Sequence, residues 1–178
     1  MPDAASVPVL SRALDQLGDL LLHVHVEALE RPSPCVEWSL GDLADHVVAS
    51  PARFVTMLRG EQPDWTAAPE HHEDDWATVF RSGADDLLHL CHQGDTSEGV
   101  DPDWMTAEFA VHAWDLAHAL GRPTAGLDPE VAERGLGFMR ANLRPEMRGD
   151  AFGPEQAAPE GGDAYDVIAA FAGRAVPA

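Results

Sequence analysis

Apolar side chains recur every three or four residues along most of this chain, the period of an amphipathic α-helix and not the alternation of a β-strand. Leu10, Leu14, Leu17, Leu21, Val24 and Ala28 line one face of a first helix expected over 8–28. Pro32 and Pro34 break the segment that follows. A second helix is expected from Ser39, its N-cap, with Asp42 three residues on in a capping-box position. Leu40, Leu43, Val47, Phe54 and Leu58 form its seam, Pro51 predicts a kink, and Gly60 closes it. A third helix covers about 73–92. A fourth starts at Asp101-Pro102 and stops at Gly121, and a fifth runs from Asp128-Pro129 to about Asn142. The last spans about 163–172. The 178 residues therefore read as one all-α domain over 1–178, a bundle of four long helices with shorter ones added. Some connections exceed the roughly 2–8 residues of a simple bundle, so one or two loops are expected to cover an end.

Charge narrows the partners. Acidic residues number 31 against 11 basic ones, for a net charge of -20, and every basic residue is Arg. Such a surface repels phosphate backbones and anionic lipid, which argues against nucleic acid and membrane surfaces. No stretch approaches the roughly 20 apolar residues of a membrane span, and the start, with Asp3 and no basic run, does not read as a secretory signal. The cytoplasm is the expected location. Arg-only usage with abundant Ala, Gly and Pro suggests a GC-rich genome. Two cysteines, Cys35 and Cys91, are too few for a disulfide framework and read as small buried hydrophobes.

Chemistry concentrates on the fourth helix. Glu108 and His112 are four apart and project from one face a turn apart, so a carboxylate oxygen and an imidazole nitrogen can converge on one ion. His46, beside the apolar seam of the second helix, would complete a two-His, one-carboxylate set with open positions. Zn²⁺ suits these ligands, as do Fe²⁺, Ni²⁺ and Mn²⁺. The bland alternative is an ordinary i, i+4 polar contact plus a core-edge histidine. His71, His72, His89 and His92 lie among aspartates and read as a solvated face.

The pieces Pro34-Cys35-x-x-Trp38, Leu43-x-x-His46-Val47, Glu108-x-x-x-His112-x-Trp114-Asp115-Leu116-Ala117, Ala119-x-Gly121 and Ala169-x-Phe171-x-Gly173-Arg174 occur in order at fitting separations. In this combination the chain resembles the DinB/YfiT-like metal-binding proteins, and among them the N-terminal domain of mycothiol-dependent maleylpyruvate isomerase in its single-domain actinobacterial form. The resemblance implies a DinB/YfiT-like four-helix bundle with additional short C-terminal helices and a divalent metal on His46, Glu108 and His112. It also implies chemistry with a low-molecular-weight thiol, mycothiol being the expected co-substrate. The full isomerase carries a further C-terminal domain, so S-transfer to a small electrophile, or another isomerisation, is expected before maleylpyruvate isomerisation itself. Asp42, one turn before His46, and Asp115, three after His112, are candidates to orient the ligand imidazoles. Arg53 is a candidate to meet an anionic substrate. Two other readings stand beside this one: a non-catalytic metal-binding or interaction module, as a homodimer, and a metal-dependent hydrolase, which lacks an obvious general base.

Overall fold

The computed structural model describes residues 4–94, 100–149 and 151–177. The beginning of the chain, read above as lacking a secretory n-region, falls partly outside them. Six helices follow in order: α1 Ser6–Leu21, α2 Leu40–Leu58, α3 Trp76–Gln93, α4 Pro102–Ala119, α5 Pro129–Asn142 and α6 Ala164–Phe171, with 3-10 turns at Val26–Ala28 and Pro145–Met147. No strand occurs among the described residues; a single bridge pairs Pro32 with Ser39. The protein is an all-α, DinB-like bundle with extra C-terminal helices.

The ends follow from local chemistry. Ser39 accepts from the Asp42 backbone amide while the Asp42 carboxylate accepts from the Ser39 amide, so both halves of the capping box are made at α2. Asp101 and Asp128 cap α4 and α5, each with proline in the first turn. Asp163 and Asp166 form a second capping box at α6. Gly60, Gly94 and Gly121 stand at positive φ just past α2, α3 and α4.

The first helix is shorter than its seam suggested. It stops at Leu21, and His25 is extended before the 3-10 turn. Val24 is nonetheless buried and Ala28 half-buried, so inward residues continue the helical spacing after the helix has ended. In the segment 22–26, Val24 alone turns inward, with His23 and His25 exposed on either side.

α4 is the centre. It packs against α1, α2, α5 and α6, and buries most of its length, from Pro102 to Ala117. α1 also lies on α3, and α2 on α3, so α1–α4 close the bundle while α5 and α6 cover the outer side of α4. Gly135 marks the closest α4–α5 approach: a methyl there would meet the Ala107 Cα at 2.8 Å. A helix buried on all sides has no solvated face for polar groups, so each polar side chain on α4 needs a partner inside the bundle.

Candidate metal centre

α2 contributes His46, and α4 contributes Glu108 and His112. Both histidines turn Nε2 toward the same carboxylate oxygen: His46 Nε2 lies 3.4 Å from Glu108 Oε1, and His112 Nε2 lies 3.2 Å from it. The imidazoles meet edge to face with centroids 4.8 Å apart. One donor atom from each of the three residues falls within 4.8 Å of the others. Side-chain exposures of 14%, 16% and 9% leave the cluster reachable from solvent but largely enclosed.

Burial disfavours charge on all three groups, and the pairs decide the outcome. For Glu108, burial pushes the pKa up, but His112 and His46 outweigh it and hold the carboxyl well below its ordinary range. For His112, burial acts downward, yet Glu108 and Asp115 carry the imidazole well above its usual value. His46 stays below its ordinary value because burial prevails over Glu108.

Asp115 is fully buried and sits behind His112. Its Oδ2 lies 3.1 Å from His112 Nδ1, so an ionised Asp115 keeps the proton on Nδ1 and turns Nε2 toward Glu108. Arg174, from the segment after α6, clamps Asp115 from the other side, Nε donating to Oδ1 at 3.0 Å and Nη2 to Oδ2 at 2.9 Å. Cys35 donates its Sγ–H to the same Oδ2 at 3.3 Å.

The donor chemistry fits a divalent cation: two imidazole Nε2 atoms and one carboxylate oxygen already face a common point, and His112 holds there a proton that a cation would displace. His46 fits with one adjustment. Its Nδ1 faces Arg53 Nη1 at 3.4 Å, so binding through Nε2 places the ring proton on Nδ1 and moves that guanidinium aside. Cys35, His112 and Asp115 also lie close enough to hold an ion. There the guanidinium of Arg174 already occupies both Asp115 oxygens, and the trio is not read as a metal site.

Asp42 takes the capping role that its position at the start of α2 predicts. Its carboxylate bonds the Ser39 amide and hydroxyl, which fixes the start of α2 and leaves His46 to Arg53. Arg53 does reach the site; its Nη2 also donates to the Ala67 carbonyl at 3.0 Å, and its guanidinium lies 5.4 Å from the Trp65 ring centroid. His71 and His72 are not simply a solvated face. The buried Asp45 carboxylate bonds His71 Nδ1 at 2.6 Å, the His72 amide at 3.1 Å and Trp76 Nε1 at 2.9 Å, tying the long α2–α3 loop beside the site. Cys35 is half-buried and hydrogen-bonded, unlike the apolar filler expected from its type. Trp38 packs 4.7 Å from the His46 ring. Residue type alone gave no signal for Cys35, Trp38, Asp45 or Arg174. Their only mark was membership of the recurring motifs for three of them, and adjacency to His46 for Asp45.

The turn that delivers Cys35 and Trp38 is tight. The Trp38 amide donates to the Cys35 carbonyl, and Glu37 has φ 70° at the position where such a turn favours glycine. The ends of this loop are pinned by the Pro32–Ser39 bridge and by the Leu40 amide on the Arg31 carbonyl.

A helical bundle enclosing a His-Glu-His cluster between two helices is the class that fold and site define. Within it, the chain belongs to the mycothiol maleylpyruvate isomerase N-terminal domain family, whose model matches residues 10–98. That stretch carries His46 and ends before α4. The uncharacterized proteins MT0763 and Rv0738, from two strains of Mycobacterium tuberculosis, are each 33% identical over 93% of this chain and 95% of their own length. No solved structure matches.

Proposed function

We infer that the protein binds one divalent metal, zinc in first place, through His46, Glu108 and His112, and uses it for S-transfer or isomerisation with a low-molecular-weight thiol, mycothiol, acting on a small electrophile. The observation that carries the reading is the convergence of two imidazole Nε2 atoms on one largely enclosed Glu108 oxygen. Membership of a family named for a mycothiol-dependent isomerase supports the choice of thiol.

A divalent metal held here supplies a Lewis acid that lowers the pKa of a thiol into the neutral range. The chain's own residues do the rest. Asp115 holds the His112 ring in one tautomer and orientation, and Arg174 holds Asp115. Trp38 walls the His46 side against water. Arg53, tethered to Ala67, places a cation at the rim of the site, where it meets a carboxylate on an electrophilic substrate.

The test is a single-turnover assay of the zinc-loaded protein with mycothiol and a panel of electrophiles, followed by loss of free thiol. Acceleration over the uncatalysed reaction that disappears in Glu108→Gln supports the reading. A rate equal to background for every electrophile contradicts it.

A further inference from the structure

The chain sets 31 acidic residues against 11 arginines, so carboxylate partners for a guanidinium are in ample supply. Arg12, Arg81, Arg134 and Arg174 each pair with one. Arg31 and Arg122 do not: among the described residues neither guanidinium has an ion pair or a hydrogen bond. Both line one surface depression of about 340 Å³, together with His23 and His25. Glu27 is the single acidic residue of that lining, and it pairs with neither arginine; the rest of the lining is apolar. The volume lies at the lower end of the roughly 300–1,000 Å³ of small-molecule sites. Arg59 is unpaired as well, but it lies outside the depression. What sets Arg31 and Arg122 apart is that the fold brings two open guanidinium groups to one place.

Both pairs of basic residues are delivered by backbone geometry. His23 and His25 are two apart and would point away from each other on a helix. Because α1 stops at Leu21 and His25 is extended, both imidazoles reach the depression while Val24 between them is buried. Arg31 is fixed on both sides, its amide donating to the Ala28 carbonyl at 3.0 Å and its carbonyl accepting from the Leu40 amide at 2.7 Å. Arg122 follows Gly121, which has φ 68°, and its amide closes on the Ala117 carbonyl at 2.8 Å. The stems are anchored and the charged forks stay exposed. The end of α4 carries partial negative charge, which opposes an anion, but the Ala117 and His118 carbonyls are already taken by the Arg122 and Gly121 amides.

We propose that this depression binds a small oxyanion carrying two or more negative charges, held by Arg31 and Arg122 with His23 and His25 as further N–H donors. A guanidinium presents a planar fork that matches a carboxylate or phosphate group in bidentate fashion. Each neutral imidazole keeps one N–H to donate. Elsewhere on the chain the net charge of -20 repels such a ligand, so an anion that stays bound is held by local contacts. None of the lining residues belongs to the His46, Glu108 and His112 cluster, and the anion site does not rest on the metal reading.

The probes are phosphoglycolate, which carries a phosphate and a carboxylate, methyl phosphate and succinate. Each is titrated into the isotope-labelled full chain at an ionic strength held constant with sodium chloride, and arginine Nε–H and histidine ring signals are followed by NMR. The expected result is saturable shifts at Arg31, Arg122, His23 and His25 with phosphoglycolate. Saturation by methyl phosphate and not succinate assigns a phosphate ligand, the reverse assigns a dicarboxylate, and saturation by both assigns the shared oxyanion chemistry. Arg31→Gln and Arg122→Gln each weaken binding by about tenfold. Arg59→Gln removes the same charge from an exposed position outside the depression and leaves binding unchanged. All three side chains are exposed, so the variants keep the wild-type spectrum away from the substitution. Absence of a saturable shift with all three probes overturns the proposal, as does an Arg59→Gln loss equal to that of Arg31→Gln.

Discussion

Single residues carry the chemistry of this bundle through shared atoms. Glu108 Oε1 serves two histidines, and Asp115 Oδ2 serves a histidine, an arginine and a cysteine. Asp115→Asn replaces one acceptor by a donor facing Arg174, loosens the His112 ring, and is expected to weaken zinc binding about 10–100-fold, read by competition with a chromogenic chelator. Arg53 acts in the other direction. Its guanidinium opposes a cation at His46, so Arg53→Gln is expected to tighten zinc binding by about tenfold in the same assay while raising KM for an anionic electrophile. The metal-free site also has a defined pH response. His112 is raised above its ordinary 6.5, so its contribution to stability is complete below that pH and is lost as pH rises through the folded value. Glu108 is lowered from 4.5, so its contribution is present above 4.5 and is lost as pH falls through the folded value. Thermal melts of the metal-free protein should therefore show the pair's contribution at its fullest between about pH 4.5 and 6.5, and the excess over His112→Gln should shrink on both sides of that window.

At the scale of elements, what was legible in the sequence was what local chemistry decides. The capping box at Ser39, Asp-Pro starts at Asp101 and Asp128 and glycine stops at Gly60 and Gly121 each act within a few residues, and the helices begin and end at them. The stretch after Leu21 was not legible, because its inward residues fit a helix and a turn equally well. Nor was the Cys35–Trp38 turn, which places Glu37 at φ 70° where glycine is the usual residue. Its conformation is imposed by the pinned ends of the loop and by the packing of Trp38 on His46. Glu37→Gly relieves that strain and is expected to raise stability by about 1 kcal/mol, measured as a higher urea midpoint. Gly135→Ala inserts a methyl into the α4–α5 contact and is expected to lower stability by about 1–3 kcal/mol in the same experiment.

In the whole molecule, one central helix unites fold and site. α4 touches α1, α2, α5 and α6, so the positions of Glu108 and His112 are set by nearly the entire bundle, and the segment after α6 returns through Arg174 to hold Asp115. The i, i+4 spacing of Glu108 and His112 was readable from sequence because it lies within one helix. Their meeting with His46, 62 residues before Glu108, was offered by ligand type and strengthened by family resemblance, since spacing within a helix says nothing of which helices pack together. Asp45, Cys35 and Arg174 escaped for the same reason: their partners are distant in sequence. Among the described residues no helix is long and apolar enough to cross a membrane, and a chain of net charge -20 attracts divalent cations to its surface as well as to a defined site. The central claim therefore depends on separating one specific ion from a diffuse atmosphere. Elemental analysis after dialysis at moderate salt, on the wild-type chain and on His46→Gln, Glu108→Gln and His112→Gln checked for native circular dichroism, makes that separation. About one equivalent of zinc per chain in the wild type, lost in each folded variant, is the predicted result. A wild-type chain that retains no metal, or variants that retain as much as the wild type, would contradict it.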